Sequence, residues 1–159
     1  MELLKFIDYD KNKLKKLESN VLNFLNENNK LKDVHYNYLN DICLKVNFDE
    51  IKDNILKDYV RIPIKMNEKF DIYILVWKKC ITKIHNHPSN GCLMKILEGK
   101  LIENRFDKKL NKISTQKLNK NKISYIDDSI CYHNIQNMDD ISISLHIYSP
   151  PNFVTSYFD

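Results

Sequence analysis

The apolar positions along this chain change period once. Between residues 11 and 57 they recur every three or four residues, and from Tyr59 onward they alternate or run together. Leu14, Leu17, Val21, Phe24 and Leu25 predict an amphipathic helix over 11–30, with Asp10 as its N-cap. Val34, Tyr38, Leu39, Ile42 and Cys43 predict a shorter one over 34–43. A third, over 48–57, begins near Asp49-Glu50 and turns Ile51, Ile55 and Leu56 inward. Beyond it, β-branched and aromatic residues cluster in short runs that predict strands at 59–64, 70–77, 81–85, 92–97, 100–107, 113–118, 122–126, 131–136 and 141–148. Glu98-Gly99-Lys100 and the polar stretch 107–112 read as turns between them. The pattern predicts a mostly β fold, a sandwich or barrel with short N-terminal α-helices. No repeat or linker divides it, so the expectation is one domain over 1–159, with a helical cap (1–58) on a β-barrel (59–159).

Composition narrows the possible partners. A net charge of +4 is mild, and the lysines are scattered without the basic stripe of a nucleic-acid surface. Arg61 and Arg105 are the two arginines among 25 basic residues, a bias that resembles translation of an AT-rich genome. Cys43, Cys80, Cys92 and Cys131 form no Cys-x-x-Cys pair and read as core thiols. The first residues are too short and acidic for a signal peptide, and no apolar run approaches the roughly 18 residues of a membrane span. A cytoplasmic location without nucleic-acid or membrane partners is the expectation.

The chemistry concentrates between residues 84 and 99. Both of the chain's glycines, Gly91 and Gly99, lie there, which predicts backbone geometry or close packing that other residues do not tolerate. His85 and His87 are one residue apart, so on an extended chain their imidazoles point to one side and can converge on one ion. Two further histidines fall in the β region, His133 and His146. Ser142, Ser144, His146 and Tyr148 alternate with Ile143, Leu145 and Ile147, placing a polar row on one face of an apolar strand. If buried, such a row needs hydrogen-bond partners throughout. Three neutral imidazoles suit zinc, copper, iron or nickel alike, and open positions would make the site catalytic. Taken singly, each residue has a plainer role. His35 reads as a helical histidine, Cys92 as a small core residue, Tyr148 as a buried aromatic and Arg61 as half of a salt bridge.

Taken jointly, the spacings resemble a known pattern. His85-x-His87, four residues, Cys92, six residues and Gly99 resembles the first cupin motif, in which a glutamate usually stands where Cys92 does. His133 with Asn137 four residues on resembles the second. A cysteine at the glutamate position marks the eukaryotic-type cysteine dioxygenases, and the chain is similar to that family from Tyr59 to Pro151. The segments that carry the likeness are Tyr59-Val60-Arg61, residues 85–99, and Ser144-Leu145-His146-Ile147-Tyr148-Ser149-Pro150-Pro151.

The resemblance implies a cupin jelly roll and a monomer that oxidises L-cysteine with O2 to cysteine sulfinic acid at Fe(2+). It implies His85, His87 and His133 as iron ligands, Arg61 as the partner of the substrate carboxylate, and Tyr59 beside it. Cys92 and Tyr148 match a pair that forms a thioether cross-link, Ser144 and His146 a relay to the tyrosine hydroxyl, and Trp77 a packed tryptophan. A 3-mercaptopropionate dioxygenase is the nearest rival, though such enzymes usually lack the cross-linking cysteine and place the arginine elsewhere. A non-catalytic metal-binding cupin is the rival from another class. Two departures bear on the site: Pro88 and Asn90-Gly91 change the loop beside the histidines, and the chain stops about eight residues beyond Pro151 where the family continues, which puts coverage of the site in question.

Overall fold

The structure, a computed structural model, describes residues 5–27, 30–34 and 36–159. Two antiparallel sheets make the body. One comprises β3 (Tyr59–Met66), β4 (Asp71–Trp77), β7 (Gly91–Glu98), β10 (Ile123–Ile126) and β12 (Ser142–Ser149), in the order β10-β7-β12-β4-β3. The other comprises β5 (Cys80–Ile81), β6 (Ile84–His85), β8 (Lys100–Phe106), β9 (Lys112–Asn119), β11 (Tyr132–Asn137) and β13 (Tyr157–Phe158), in the order β13-β6-β11-β8-β9 with β5 also on β11. The mostly β expectation holds, and strand bounds from Tyr59 onward agree with the pattern to within two residues, except that 81–85 splits into β5 and β6.

Alternation explains why the central strands β4, β7 and β12 of the first sheet are buried on both faces. Ile72, Ile74 and Val76 of β4, Leu93 and Leu97 of β7, and Ile143, Leu145 and Ile147 of β12 pack with the N-terminal helices. The intervening Leu75, Trp77, Met94 and Ile96 turn the other way, onto Leu101, Leu118 and Ile135 of the second sheet. A strand covered on both sides reads as an almost continuous apolar run, as Asp71–Trp77 does. The polar row of β12 therefore faces the interior between the sheets.

The cap is α1 (Lys11–Glu27), α2 (Tyr36–Asn40) and α3 (Phe48–Asn54), with a 3-10 turn at Leu31–Asp33. Asp10 caps α1 as expected, its carboxylate accepting from the Asn12 and Lys13 amides at 2.9 and 3.1 Å. Asn47, rather than Asp49-Glu50, caps α3, accepting from the Glu50 amide. Leu56 does not face inward: α3 ends at Asn54, and Leu56 is 95% exposed while Ile51 and Ile55 are buried. Two short strands the periodicity does not announce, β1 (Ile7–Tyr9) and β2 (Leu44–Val46), pair across the cap. His35 lies outside the described residues. No helix is long and apolar enough to cross a membrane among the described residues.

One buried charge fastens cap to sheet. Lys95 of β7 is 1% exposed, and its ammonium donates to the carbonyls of Leu39, Asn40 and Ile42 at 3.0, 2.9 and 2.8 Å. All three of its donors are thereby used at the C-terminal end of α2, where the orphan carbonyls of a helix favour a cation. Lys30 reaches the other way, donating to Ser89 O and Asp127 Oδ2, both at 3.0 Å, while the Leu31 amide donates to Asn90 O at 2.8 Å. The loop that follows His87 is thus held by the cap.

Candidate active site

β6 brings His85 into register with His133 of β11, and the chain then turns so that His87, 3% exposed, lies beside both. The ring centroids are 4.7 Å apart for His85–His133 and 4.2 Å for His87–His133. Their ligand nitrogens all lie within 4.8 Å of one another. Gly91 supports this loop, with φ +103° and the Tyr125 ring where a Cβ would stand, while Gly99, φ +74°, makes the β7–β8 turn at the other end of the strand, against Ser142.

The hydrogen bonds behind the imidazoles decide what their free nitrogens can take. His85 Nδ1 lies 2.8 Å from Lys83 O, and His133 Nδ1 lies 2.8 Å from Glu103 Oε1. A carbonyl or carboxylate oxygen accepts, so each Nδ1 carries the proton and each Nε2 a lone pair. Those two Nε2 atoms stand 3.1 Å apart. Lone pairs facing at that distance repel, and a cation between them turns the pair into ligands. The separation is close to that of two nitrogens bound at about 2.1 Å and right angles to one ion. His87 Nδ1 is buried and has no hydrogen-bond partner. Burial, followed by the neighbouring imidazoles, holds the pKa of His87 and of His133 well below the ordinary value, and burial lowers that of His85. All three are neutral near pH 7, as ligands must be. The cluster fits a divalent transition metal, and imidazole alone does not choose among them.

Across a cavity of about 40 Å³, room for a few water-sized groups, the first sheet contributes Arg61, Trp77, His146 and Tyr148. The Arg61 guanidinium lies 4.4 Å over the Tyr73 ring and 5.2 Å from that of Tyr148. No carboxylate pairs with it among the described residues, so the structural salt bridge is absent and a cation faces the cavity ready for an anion.

The polar row on β12 forms a chain of hydrogen bonds with a definite direction. Trp77 Nε1, which can only donate, gives its proton to Ser144 Oγ at 2.8 Å. Ser144 then donates to His146 Nε2 at 2.8 Å, which places the proton of this neutral imidazole on Nδ1, 3.0 Å from Tyr148 O. Burial, then Arg61 and His85, holds the His146 pKa down at about 3, so the ring stays neutral. Tyr148 stands directly across from Cys92 in the β12–β7 register, and the Cys92 sulfur donates to Leu93 O at 3.7 Å and lies 3.9 Å from His146 Nδ1. Burial raises the pKa of Cys92 and of Tyr148, so both hold their protons. Trp77, expected only to pack, is also the first donor of this chain.

Other expected residues are placed as follows. Tyr59 lines the cavity beside Arg61, its ring 5.0 Å from Trp77. Of the remaining cysteines only Cys131 is a core thiol; Cys43 is exposed and Cys80 half-buried. The residues past Pro151 do cover the site: β13 pairs Tyr157 with His85, the Ser156 amide donates to Asn86 Oδ1 at 2.8 Å, and Phe158 stacks on Tyr132. Sequence reasoning missed Glu103, which is 1% exposed and also bonded by Ser124 and Arg105. An acidic residue two after Leu101, on the same face of the strand, was the available signal.

A jelly roll of two antiparallel sheets with three converging histidines at one end is a cupin with a site for a metal ion. The chain belongs to the cysteine dioxygenase type I family, whose profile matches residues 46–159. Cysteine dioxygenase type 1 from Rattus norvegicus and from Homo sapiens are each 38% identical over 102 residues, 58% of this chain and 51% of theirs. The chain thus spans about half the length of these curated relatives. Among solved structures, a Klebsiella pneumoniae protein with a double-stranded β-helix domain matches 72% of this chain and 96% of its own with TM-score 0.56 at 12% identity. Oxalate oxidase matches 65% of this chain and 57% of its own with TM-score 0.54 at 9% identity. These two likenesses show the fold alone.

Proposed function

We propose that the chain is an iron(II) thiol dioxygenase that adds both atoms of O2 to the sulfur of L-cysteine, giving cysteine sulfinic acid, and that it works as a cytoplasmic monomer. The observation that carries this reading is the meeting of three neutral imidazoles and an unpaired guanidinium in one small cavity. His85, His87 and His133 would hold the metal, which when bound supplies the oxygen chemistry that side chains lack. Because all three are neutral, they would leave an ion its full positive charge, which favours an anionic thiolate beside it. Cys92 stands where many cupins carry an anionic glutamate ligand, and its protonated thiol leaves that position free.

Arg61 would bind the substrate carboxylate through charge-assisted hydrogen bonds, fixing the amino acid before reaction. The directional chain from Trp77 through Ser144 and His146 orients the Tyr148 hydroxyl. Cys92 and Tyr148 are the pair expected to cross-link, with a bond from Sγ to the ring carbon beside the hydroxyl. The two hydrogens lost would pass, with their electrons, to dioxygen.

The test is anaerobic loading with ferrous iron, then oxygen uptake with L-cysteine and mass analysis of the product. A gain of two oxygen atoms is expected, abolished in His133→Ala. In Arg61→Ala, KM rises by about 10- to 100-fold, the value of a charge-assisted hydrogen bond. Turnover of 3-mercaptopropionate but not cysteine would change the substrate. Iron bound with no thiol oxidised would overturn the reading in favour of a binding module.

A further inference from the structure

The C-terminal strand contributes a side chain whose position fits neither metal binding nor the hydrogen-bond chain of β12. Tyr157 pairs with His85 across β13–β6, and its ring centroid lies 6.0 Å from the His85 ring. It lines the same cavity as Arg61 and Tyr59, yet is 56% exposed, so it stands at the mouth. Tyr59 lines the same cavity from β3 and packs on Trp77 from the other side. The strand that carries Tyr157 is held at both ends of its turn. Asn86 and Ser156 exchange two hydrogen bonds, at 3.2 and 2.8 Å, and the Phe158 ring stacks 4.4 Å from Tyr132 at 17°. Tyr157 and Tyr59 thus stand at the mouth on the edge strands of the two sheets, and Tyr59 is two residues from Arg61 on β3, so the two phenols flank the side of the cavity on which a bound carboxylate would lie.

We propose that Tyr157, together with Tyr59, is a specificity-determining wall that admits thiols ending in a free α-carboxylate and excludes those extended beyond it, such as peptides with N-terminal cysteine. This rests on the thiol-binding reading given above. A ring at the mouth would meet an amide continuation, whereas free cysteine ends at Arg61. The wall is a steric device, so the ring matters more than the hydroxyl. Hydrophobic walls discriminate by about tenfold or more when they must reject added bulk.

Anaerobic calorimetric titration of the iron-loaded protein with L-cysteine and with cysteinylglycine reads the wall without requiring turnover. Wild type is expected to bind cysteine and to bind the dipeptide at least about tenfold more weakly. In Tyr157→Ala and Tyr157→Leu that ratio falls by about tenfold, leaving the part the dipeptide loses at Arg61, while Tyr157→Phe keeps the wild-type ratio. Two opening variants guard against one failing to fold, and a ratio of affinities does not move with a merely structural loss. An unchanged ratio in both opening variants, with cysteine still bound, overturns the wall alone. Loss of the ratio in Tyr157→Phe overturns the steric account. Binding of neither thiol by wild type overturns the thiol-site reading and the wall with it.

Discussion

A single buried carboxylate sets the chemistry of the candidate metal centre. Glu103 accepts from His133 Nδ1 at 2.8 Å and so fixes which ring nitrogen is free. Its other oxygen takes the Ser124 hydroxyl at 3.0 Å and the Arg105 guanidinium at 3.3 Å, which hold the carboxylate in place. Outer partners of this kind typically alter metal affinity by about 10- to 100-fold. Glu103→Gln, which keeps an acceptor but loses charge, is expected to weaken ferrous iron or zinc binding toward the lower end of that range. Glu103→Ala is expected at the upper end, measured by competition with a chelator. The histidines themselves were legible because their spacing is local and their chemistry specific. Glu103 was not, because its partner is 30 residues away and only the β8–β11 register brings them together. Trp77 was half legible: aromatic bulk predicts packing, while the use of its indole N–H depends on a serine reached across the β4–β12 pairing.

At the scale of elements, strands outran helices in legibility. Runs of β-branched residues from Tyr59 onward announce strands whichever sheet they join, and period two assigned the polar row of β12 to one face. The N-terminal cap was less readable, since three-residue strands such as Ile7–Tyr9 show no period. Leu56 followed a helical spacing past the point where α3 stops. Lys95 was read only as part of an apolar strand, yet it ties that strand to α2. Lys95→Met removes the donor from three carbonyls in a dry interface, leaving acceptors unsatisfied at about 1–3 kcal/mol each where water does not reach them. A loss of about 3 kcal/mol is expected, read as a lower urea midpoint with the slope unchanged. Retention of the wild-type midpoint would show that the cap docks without this lysine.

For the molecule as a whole, buried neutral imidazoles tie stability to pH. His146 takes up a proton at about pH 6.5 when unfolded and only at about pH 3 when folded. Its contribution is fully present above pH 6.5 and is lost as pH falls toward 3, because the unfolded chain binds the extra proton. Metal-free protein is expected to lose about 2–3 kcal/mol from this residue by about pH 4.5. Urea midpoints measured across that range should fall less steeply in His146→Gln than in wild type; equal slopes would remove His146 from the account. The two sheets divide the site between them, with His85, His133 and the loop that carries His87 on one side and Arg61, Trp77, His146 and Tyr148 on the other. What keeps the halves aligned is the apolar filling of Leu75, Met94, Ile96, Leu101, Leu118 and Ile135. The interior therefore acts as a jig: trimming a methylene there shifts the distance from cation to imidazoles, and a change nowhere near a ligand is expected to show in substrate affinity before it shows in folding.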